Sequence, residues 1–300
     1  MKENMQECTL CPRNCRANRE KGETGVCGVA GPGIVGARAA LHMWEEPCIS
    51  GERGSGTVFF SGCSLRCIYC QNYEIAHAKH GKRITVERLA EIFLELAEKG
   101  AHNINLVTPT HYTPEIIAAV KMARERGLSL PIVYNCSGYE KVETLRLLEG
   151  IVDIYLTDFK YMEKELAANY SKAPDYPEIA KEALCEMVRQ TKEVMLDADG
   201  MMTKGVIVRH LLLPNHLRNA KKVVNYVYET YGDKVYLSLM NQYTPLPQVK
   251  HIPELNRKVT EREYEKLVDY AIALGVEYAF IQEGETALES FIPQFECEGI

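Results

Sequence analysis

From residue 56 onward the chain alternates short β-branched or aromatic runs with amphipathic helical stretches, and this alternation restricts the fold more than any other feature. The spacing predicts strands at Thr57–Phe60, Asn103–Val107, Ile132–Asn135, Val152–Leu156, Val206–Leu212, Val235–Leu239 and Tyr278–Ile281. Between them, apolar residues recur at three- and four-residue steps over Val86–Lys99, Pro114–Arg126, Lys141–Leu148, Ile179–Glu193, Arg218–Glu229 and Glu261–Leu274, which predicts helices. A repeating βα chain forms a parallel sheet, either closed or partly closed into a barrel or open and doubly wound. Both forms place the functional site at the carboxyl ends of the strands.

The residues just after each predicted strand are accordingly the informative ones. They are Cys63 to Cys70 after the first, Thr108 to His111 after the second, Cys136 to Gly138 after the third and Asp158 to Lys160 after the fourth. Before residue 56 the pattern changes to Gly, Cys and Arg with only short apolar pieces. Residues 1–52 therefore read as a small Cys-rich extension whose folding depends on a bound metal, and residues 53–300 as the βα domain.

Eight of the eleven cysteines fall in the first 70 residues, while Cys136, Cys185 and Cys297 are scattered. That density suits metal or redox chemistry better than a disulfide framework in so long a chain. The formal charge of −6, with basic residues dispersed among acidic ones, argues against nucleic acid as the partner. No apolar run approaches the roughly 20 residues a bilayer requires, and Met1 to Leu10 is polar where a secretory signal would be apolar. The expectation is a cytosolic protein without a membrane partner.

Phe60-Ser-Gly-Cys63-Ser-Leu-Arg-Cys67-Ile-Tyr-Cys70 carries a C-x3-C-x2-C pattern directly after a strand. Iron–sulfur clusters need thiolates that converge on a compact cuboid, and close spacing on one loop supplies them with little ordering of distant chain. Three local thiolates leave one iron without a local protein ligand, a place where a substrate or cofactor can coordinate. Two other readings are three small residues on one helical face and a zinc site completed by a remote ligand.

With Tyr69 inside the motif and the loop at the end of the first strand of a βα chain, the segment resembles the radical S-adenosylmethionine superfamily. The resemblance implies an α/β partial (β/α)6-type barrel of parallel strands and a [4Fe–4S] cluster on Cys63, Cys67 and Cys70. It further implies S-adenosyl-L-methionine chelating the open iron, and reductive cleavage to a 5′-deoxyadenosyl radical that abstracts a hydrogen atom. Tyr69 would lie near the adenine. The segments Leu41 to Gly51 and Gly54 to Cys63 narrow the resemblance to the pyruvate formate-lyase activating enzyme-like group. That group implies a one-electron reductant such as flavodoxin or ferredoxin, and a glycyl radical enzyme whose glycine is the target. Radical modification of a small molecule or peptide is the alternative, and a non-catalytic metal-binding or electron-transfer protein the less favoured one.

The resemblance also suggests cofactor contacts around the rim. Where relatives often carry Gly-Gly-Glu after the second strand, this chain has Thr108-Pro-Thr-His-Tyr112, so the Thr108 and Thr110 oxygens or nearby backbone carbonyls are candidates for the amino group and His111 for a cofactor contact, with Thr113 also read as a helix N-cap. Asn135 to Gly138 and Asp158 to Lys160 resemble strand-end positions of the activating enzymes, which implies ribose or carboxylate binding by Ser137, Asp158 and Lys160 with Asn135 beside them; an ion pair that merely ends a strand is the other reading of Asp158 and Lys160. Arg209, on the fifth strand, needs an anionic partner, for which the cofactor carboxylate is a candidate. His210 faces the opposite way as a packing residue, and Gln242, Tyr243, Gln282 and Glu283 follow later strands.

Cys8, Cys11, Cys15 and Cys27 form C-x2-C-x3-C-x11-C. Four such thiolates can close a tetrahedral zinc site, and a second iron–sulfur cluster is the competing reading. Trp44, Glu45 and Glu46 read as a solvated connector with one packing Trp. Cys48 lies within reach of either the substrate or the N-terminal metal, and Cys136 is a rim residue.

Overall fold

The computed structural model describes residues 6–282 and 294–300; Glu283 lies outside the described residues. Among these the strands are β1 (Ile34–His42), β2 (Ser55–Phe60), β3 (Lys82–Ile84), β4 (Ile104–Val107), β5 (Ile132–Cys136), β6 (Ile154–Asp158), β7 (Met195–Leu196), β8 (Met202–Leu211), β9 (Tyr236–Met240) and β10 (Ala279–Ile281). All seven strands predicted from the βα pattern are present. They run parallel in the order β2-β4-β5-β6-β8-β9-β10, flanked by antiparallel β1 and β3, with β7 beside β8. The spatial order follows the chain without reversal, which excludes the doubly wound alternative. β10 and β3 lie at the two ends of the sheet, so the curved sheet is an open, partial barrel.

Period-two alternation divides each strand between two environments. One side of β4, β5, β6 and β8, including Leu106, Tyr134, Tyr155 and Val208, packs under helices such as Val86–Glu98 and Tyr176–Thr191 in the main core. Thr85 starts the first of these helices by accepting the Arg88 N–H, and its inner face buries Leu89, Ile92, Phe93 and Leu96. The other side faces the barrel interior. Its lower layer is apolar, with Val133, Ile154, Leu156 and Ile207 closed by Cys48 and Ile49 of the short helix Pro47–Ser50.

The amino-terminal region is less separate than its composition suggests, since β1 pairs with β2 along six registered positions and with β3. Its alanines and glycine have low strand propensity, which hides it in the sequence. Tertiary partners compensate: the Cys297 N–H donates to Ala37 O at 3.1 Å, the Ala39 N–H to Glu298 O at 2.8 Å, and Arg38 pairs with Glu298 at 2.8 Å. Thr113 is the first residue of its helix rather than the N-cap, a position held by Tyr112. The Thr113 hydroxyl instead donates back to Thr110 O at 2.9 Å. No described helix is long and apolar enough to cross a membrane.

Candidate functional site

The strand carboxyl ends surround a cavity of about 350 Å³. Cys63, Cys67 and Cys70 all line it, together with Tyr69, Thr108, Asn135, Ser137, Asp158, Lys160 and Arg209. The chain brings these residues together from β2, β4, β5, β6 and β8, as strand-end logic requires.

The trio loop is fixed at its base before it reaches the cavity. Gly62 has φ +94°, and a Cβ there would stand 2.6 Å from Val29 Cγ2 and 2.9 Å from Cys27 O, so only glycine fits. Ser61 O accepts from the Tyr112 hydroxyl at 3.2 Å and lies 2.9 Å from His111 Nε2. Further along, the Leu65 and Arg66 N–H groups point at Cys63 Sγ at 3.4 and 3.5 Å, and the Ser171 hydroxyl donates to Cys67 Sγ at 3.1 Å. A hydroxyl chain from Tyr69 to Tyr161 (2.7 Å) and on to Ser171 (2.8 Å) ties the motif's aromatic to the same sulfur.

Burial pushes the Cys63 and Cys70 thiols up, so their ionisation needs a cation or metal beside them. Lys160 supplies part of that charge. Burial opposes its ammonium, but Asp158 at 2.6 Å, Cys67 and Cys70 outweigh burial and hold it above its ordinary value. Three convergent sulfurs with N–H and O–H donors behind them and one half-buried cation are a donor set that fits a thiolate-bound iron–sulfur cluster with one open iron. Asp158, Ser137, Asn135 and Thr108 then stand along the same wall as polar groups for a nucleoside and an amino acid. Gly138 closes this wall: with φ +76°, its hypothetical Cβ would lie 2.2 Å from Asp158 O.

Three expectations need correction. Thr110 and His111 do not line the cavity. Thr110 donates to buried Glu140 at 2.8 Å, and His111 is turned toward Ser61 O, because the turn after β4 rolls into a short 3-10 helix that carries both side chains behind the rim. Burial takes His111 down to about 4, keeping it neutral. Arg209 does face the cavity, but its anionic partners are Glu45 and Glu46; its Nε donates to Glu46 Oε1 at 2.8 Å. Glu45 and Glu46 are therefore not part of a solvated connector, and Trp44, 63% exposed, is not the packing residue expected there. Glu46 is buried, and although burial opposes its charge, Arg209 and the Ser238 hydroxyl hold its carboxyl below the usual range.

Glu45 is further held by Asn105 Nδ2 at 2.8 Å. Cys48 does not line the cavity and packs instead in the apolar floor. His210 packs outward as read, 2.7 Å from Phe159 O, and burial takes it down to about 4. The reading from sequence missed Glu140, a buried carboxyl raised to about 8 by burial that accepts from Thr110 and Tyr134. Only its place four residues past β5 hinted at it.

A second cavity, of about 500 Å³, lies on the outer side of the trio loop and is lined by Arg13, Arg66, His77 and Lys172 but by no carboxylate. Arg13 bridges the N-terminal segment to this loop, donating to Ser64 O at 2.9 Å and Ser171 O at 2.8 Å.

Residues 57–224 match the family model described as the radical SAM superfamily. An uncharacterised protein of Methanocaldococcus jannaschii is 31% identical over 273 residues, 89% of this chain and 74% of its own length. A pyruvate formate-lyase-activating enzyme of Clostridium pasteurianum is 24% identical over 251 residues, 76% of this chain and 98% of its own. Among solved structures, the hydrogenase maturase HydG superposes with a TM-score of 0.53 at 17% identity, over 78% of this chain. Methylornithine synthase gives 0.51 at 16% identity, over 72%. The chain spans 52% and 62% of those two structures, and the likeness to them is one of fold. Members of the family use a [4Fe–4S] cluster and S-adenosylmethionine, and the cavity has the donors for both. This chain belongs to the radical S-adenosylmethionine superfamily and is an enzyme of that class.

Proposed function

We propose that the enzyme abstracts a hydrogen atom from a glycine of a partner glycyl radical enzyme. When bound, the cluster and S-adenosylmethionine supply a 5′-deoxyadenosyl radical. The chain's own residues do the rest: the trio presents three thiolates, Lys160 and Asp158 hold charged groups of the cofactor, and the apolar floor closes the far end of the interior.

The observation that carries the reading is the mouth of the cavity. Trp44 and Ile281 line the cavity while remaining 63% and 43% exposed, so an apolar, accessible rim stands over a polar reaction chamber. A glycine has no side chain to insert, so its backbone must be brought to the radical by a peptide segment, and an apolar rim suits such a segment. The activating-enzyme names of relatives at 24% identity support the same reading.

The electron donor follows from charge. The carboxylate-free cavity lined by Arg13, Arg66 and Lys172, against the trio loop, suits an acidic one-electron carrier such as flavodoxin or ferredoxin.

The test is anaerobic incubation of the reduced enzyme and S-adenosylmethionine with candidate glycyl radical enzymes carrying deuterated glycine. The reading expects a glycyl signal by electron paramagnetic resonance and deuterium in the 5′-deoxyadenosine. Deuterium arriving instead from a labelled small molecule or peptide, with no glycyl signal, overturns it.

A further inference from the structure

β1 ends at His42, and the segment that leaves it is pinned from behind. His42 pairs in register with Ser55, its carbonyl accepts from the Ser50 hydroxyl at 3.1 Å, and the Glu45 N–H donates to the same hydroxyl at 3.0 Å. Ser50 is buried, so these bonds are shielded from water. Side chains alternate along this extended stretch. Met43 turns away over Gly54, where a Cβ would stand 2.8 Å from its sulfur, while His42 and Trp44 line the main cavity.

The other buried and half-buried histidines are each tied to a protein group. His77 lies 2.9 Å from Tyr73 O, His102 is 3.0 Å from Arg53, His111 and His210 engage Ser61 O and Phe159 O, and His216 is 2.8 Å from the Tyr170 hydroxyl. The His42 ring makes no hydrogen bond among the described residues, and neither of its nitrogens is sealed in, unlike His102 Nε2 and His111 Nδ1. Phe59, edge-on with ring centroids 6.0 Å apart and planes at 88°, holds the imidazole in place. Burial keeps the ring below its ordinary pKa, with Arg209 and Arg38 acting in the same direction against Glu45, so it is neutral at neutral pH.

A neutral imidazole carries one N–H donor and one acceptor lone pair, the complement of a peptide group with its carbonyl oxygen and its own N–H. A glycine has no side chain to grip, so its orientation must come through the backbone. We propose, on the glycine reading above, that His42 binds the substrate by hydrogen-bonding the peptide group of the target glycine, and so turns its Cα–H toward the cofactor. The hydrogen atom leaves with its own electron: the glycine Cα–H bond breaks, a C–H bond forms at the 5′ carbon, and no proton is released. A ring that neither gives nor takes a proton suits that step.

The surroundings favour an uncharged ligand at this point. Glu45 and Arg209, the charged groups of the cavity nearest in chain or field to His42, are paired with each other. Phe59, on which the ring leans, lies four residues before Cys63 in the chain, so the imidazole and the trio loop line one continuous cavity.

The test compares His42→Phe, which keeps a ring against Phe59, with His42→Gln, which keeps a donor and an acceptor. The reconstituted full-length proteins are given S-adenosylmethionine, a one-electron reductant and the candidate glycyl radical enzymes carrying α-deuterated glycine. His42→Phe should raise KM for the glycyl radical enzyme about ten-fold, and His42→Gln should stay within about three-fold of the wild type. Calorimetric affinity for S-adenosylmethionine should match the wild type in both. An equal KM in His42→Phe and the wild type, or a His42→Gln no better than His42→Phe, overturns the proposal. Weakened S-adenosylmethionine binding in both variants overturns it as well, because the ring would then serve the cofactor. A wild type that moves no deuterium from any glycine is a different failure, that of the glycine reading itself, and His42 loses its assignment with it.

Discussion

Two clusters lining the same cavity treat charge in opposite ways. In the first, Cys63, Cys67 and Cys70 stand with one cation, Lys160, and one carboxylate, Asp158, so the site acquires its balance from what it binds. In the second, Arg209, in register with Asp158, is matched by Glu45 and Glu46, Ser238 and Asn105 complete the hydrogen bonds, and Cys48 and Ile49 belong to the apolar floor. One cluster is a receptor and the other a frame. Preorganised chemistry needs both, because a reactive centre keeps its aim only when the polar groups behind it are already satisfied.

The comparison breaks most sharply at Glu46. Glu46→Ala leaves the buried Arg209 guanidinium half-paired and should cost about 3 kcal/mol of stability by denaturant unfolding of the reconstituted protein. A change within a few tenths of a kcal/mol would mean that the Arg209 cluster is solvated rather than a frame.

His210, next to Arg209 but facing the helices, gives a pH test of nearly the same size. Burial takes its folded value down to about 4, against about 6.5 when unfolded, so the unfolded chain takes up the proton first as pH falls. Its contribution is intact above pH 6.5 and lost as pH falls toward 4, by about 3 kcal/mol across that window. Unfolding curves of His210→Gln should show a flatter pH slope there, and an unchanged slope would place the acid sensitivity elsewhere.

In the receptor cluster, Lys160→Met should weaken S-adenosylmethionine binding by roughly 30-fold, the worth of about 2 kcal/mol for a charge-assisted contact, with folding retained. Calorimetric titration of the reconstituted protein reads this directly. Tyr161→Phe, which breaks the hydroxyl chain from Tyr69 to Ser171 and Cys67, should cost only ~1 kcal/mol and shift the cluster's absorption slightly. A loss as large as that from Glu46→Ala would show that this chain is part of the frame.

The same division explains what the sequence made legible. The receptor cluster is written locally: three cysteines within eight residues, Asp158 and Lys160 two apart, and Ser137 beside a glycine, each at a strand end that the βα pattern already marks. The frame is written at long range. Arg209 meets Glu46 across 163 residues, Asn105 meets Glu45 across 60, and nothing at either position announces its partner. Two adjacent glutamates before a proline look like a solvated linker until the sheet folds Arg209 against them. Thr110 and His111 show the converse limit, since a strand-end position was correctly read but the 3-10 turn that points them outward has no sequence period to reveal it. β1, rich in alanine, depends on β2 and on residues 297–298 for its pairing and carries little strand signal of its own.

The receptor reading of the first cluster rests on the trio, and cofactor cleavage tests it most directly. Anaerobically reconstituted protein given S-adenosylmethionine and a one-electron reductant should form 5′-deoxyadenosine and methionine, and Cys67→Ala should reduce that rate by about 10³-fold or more, ~4 kcal/mol of barrier. Equal 5′-deoxyadenosine formation by the wild type and Cys67→Ala would contradict the account.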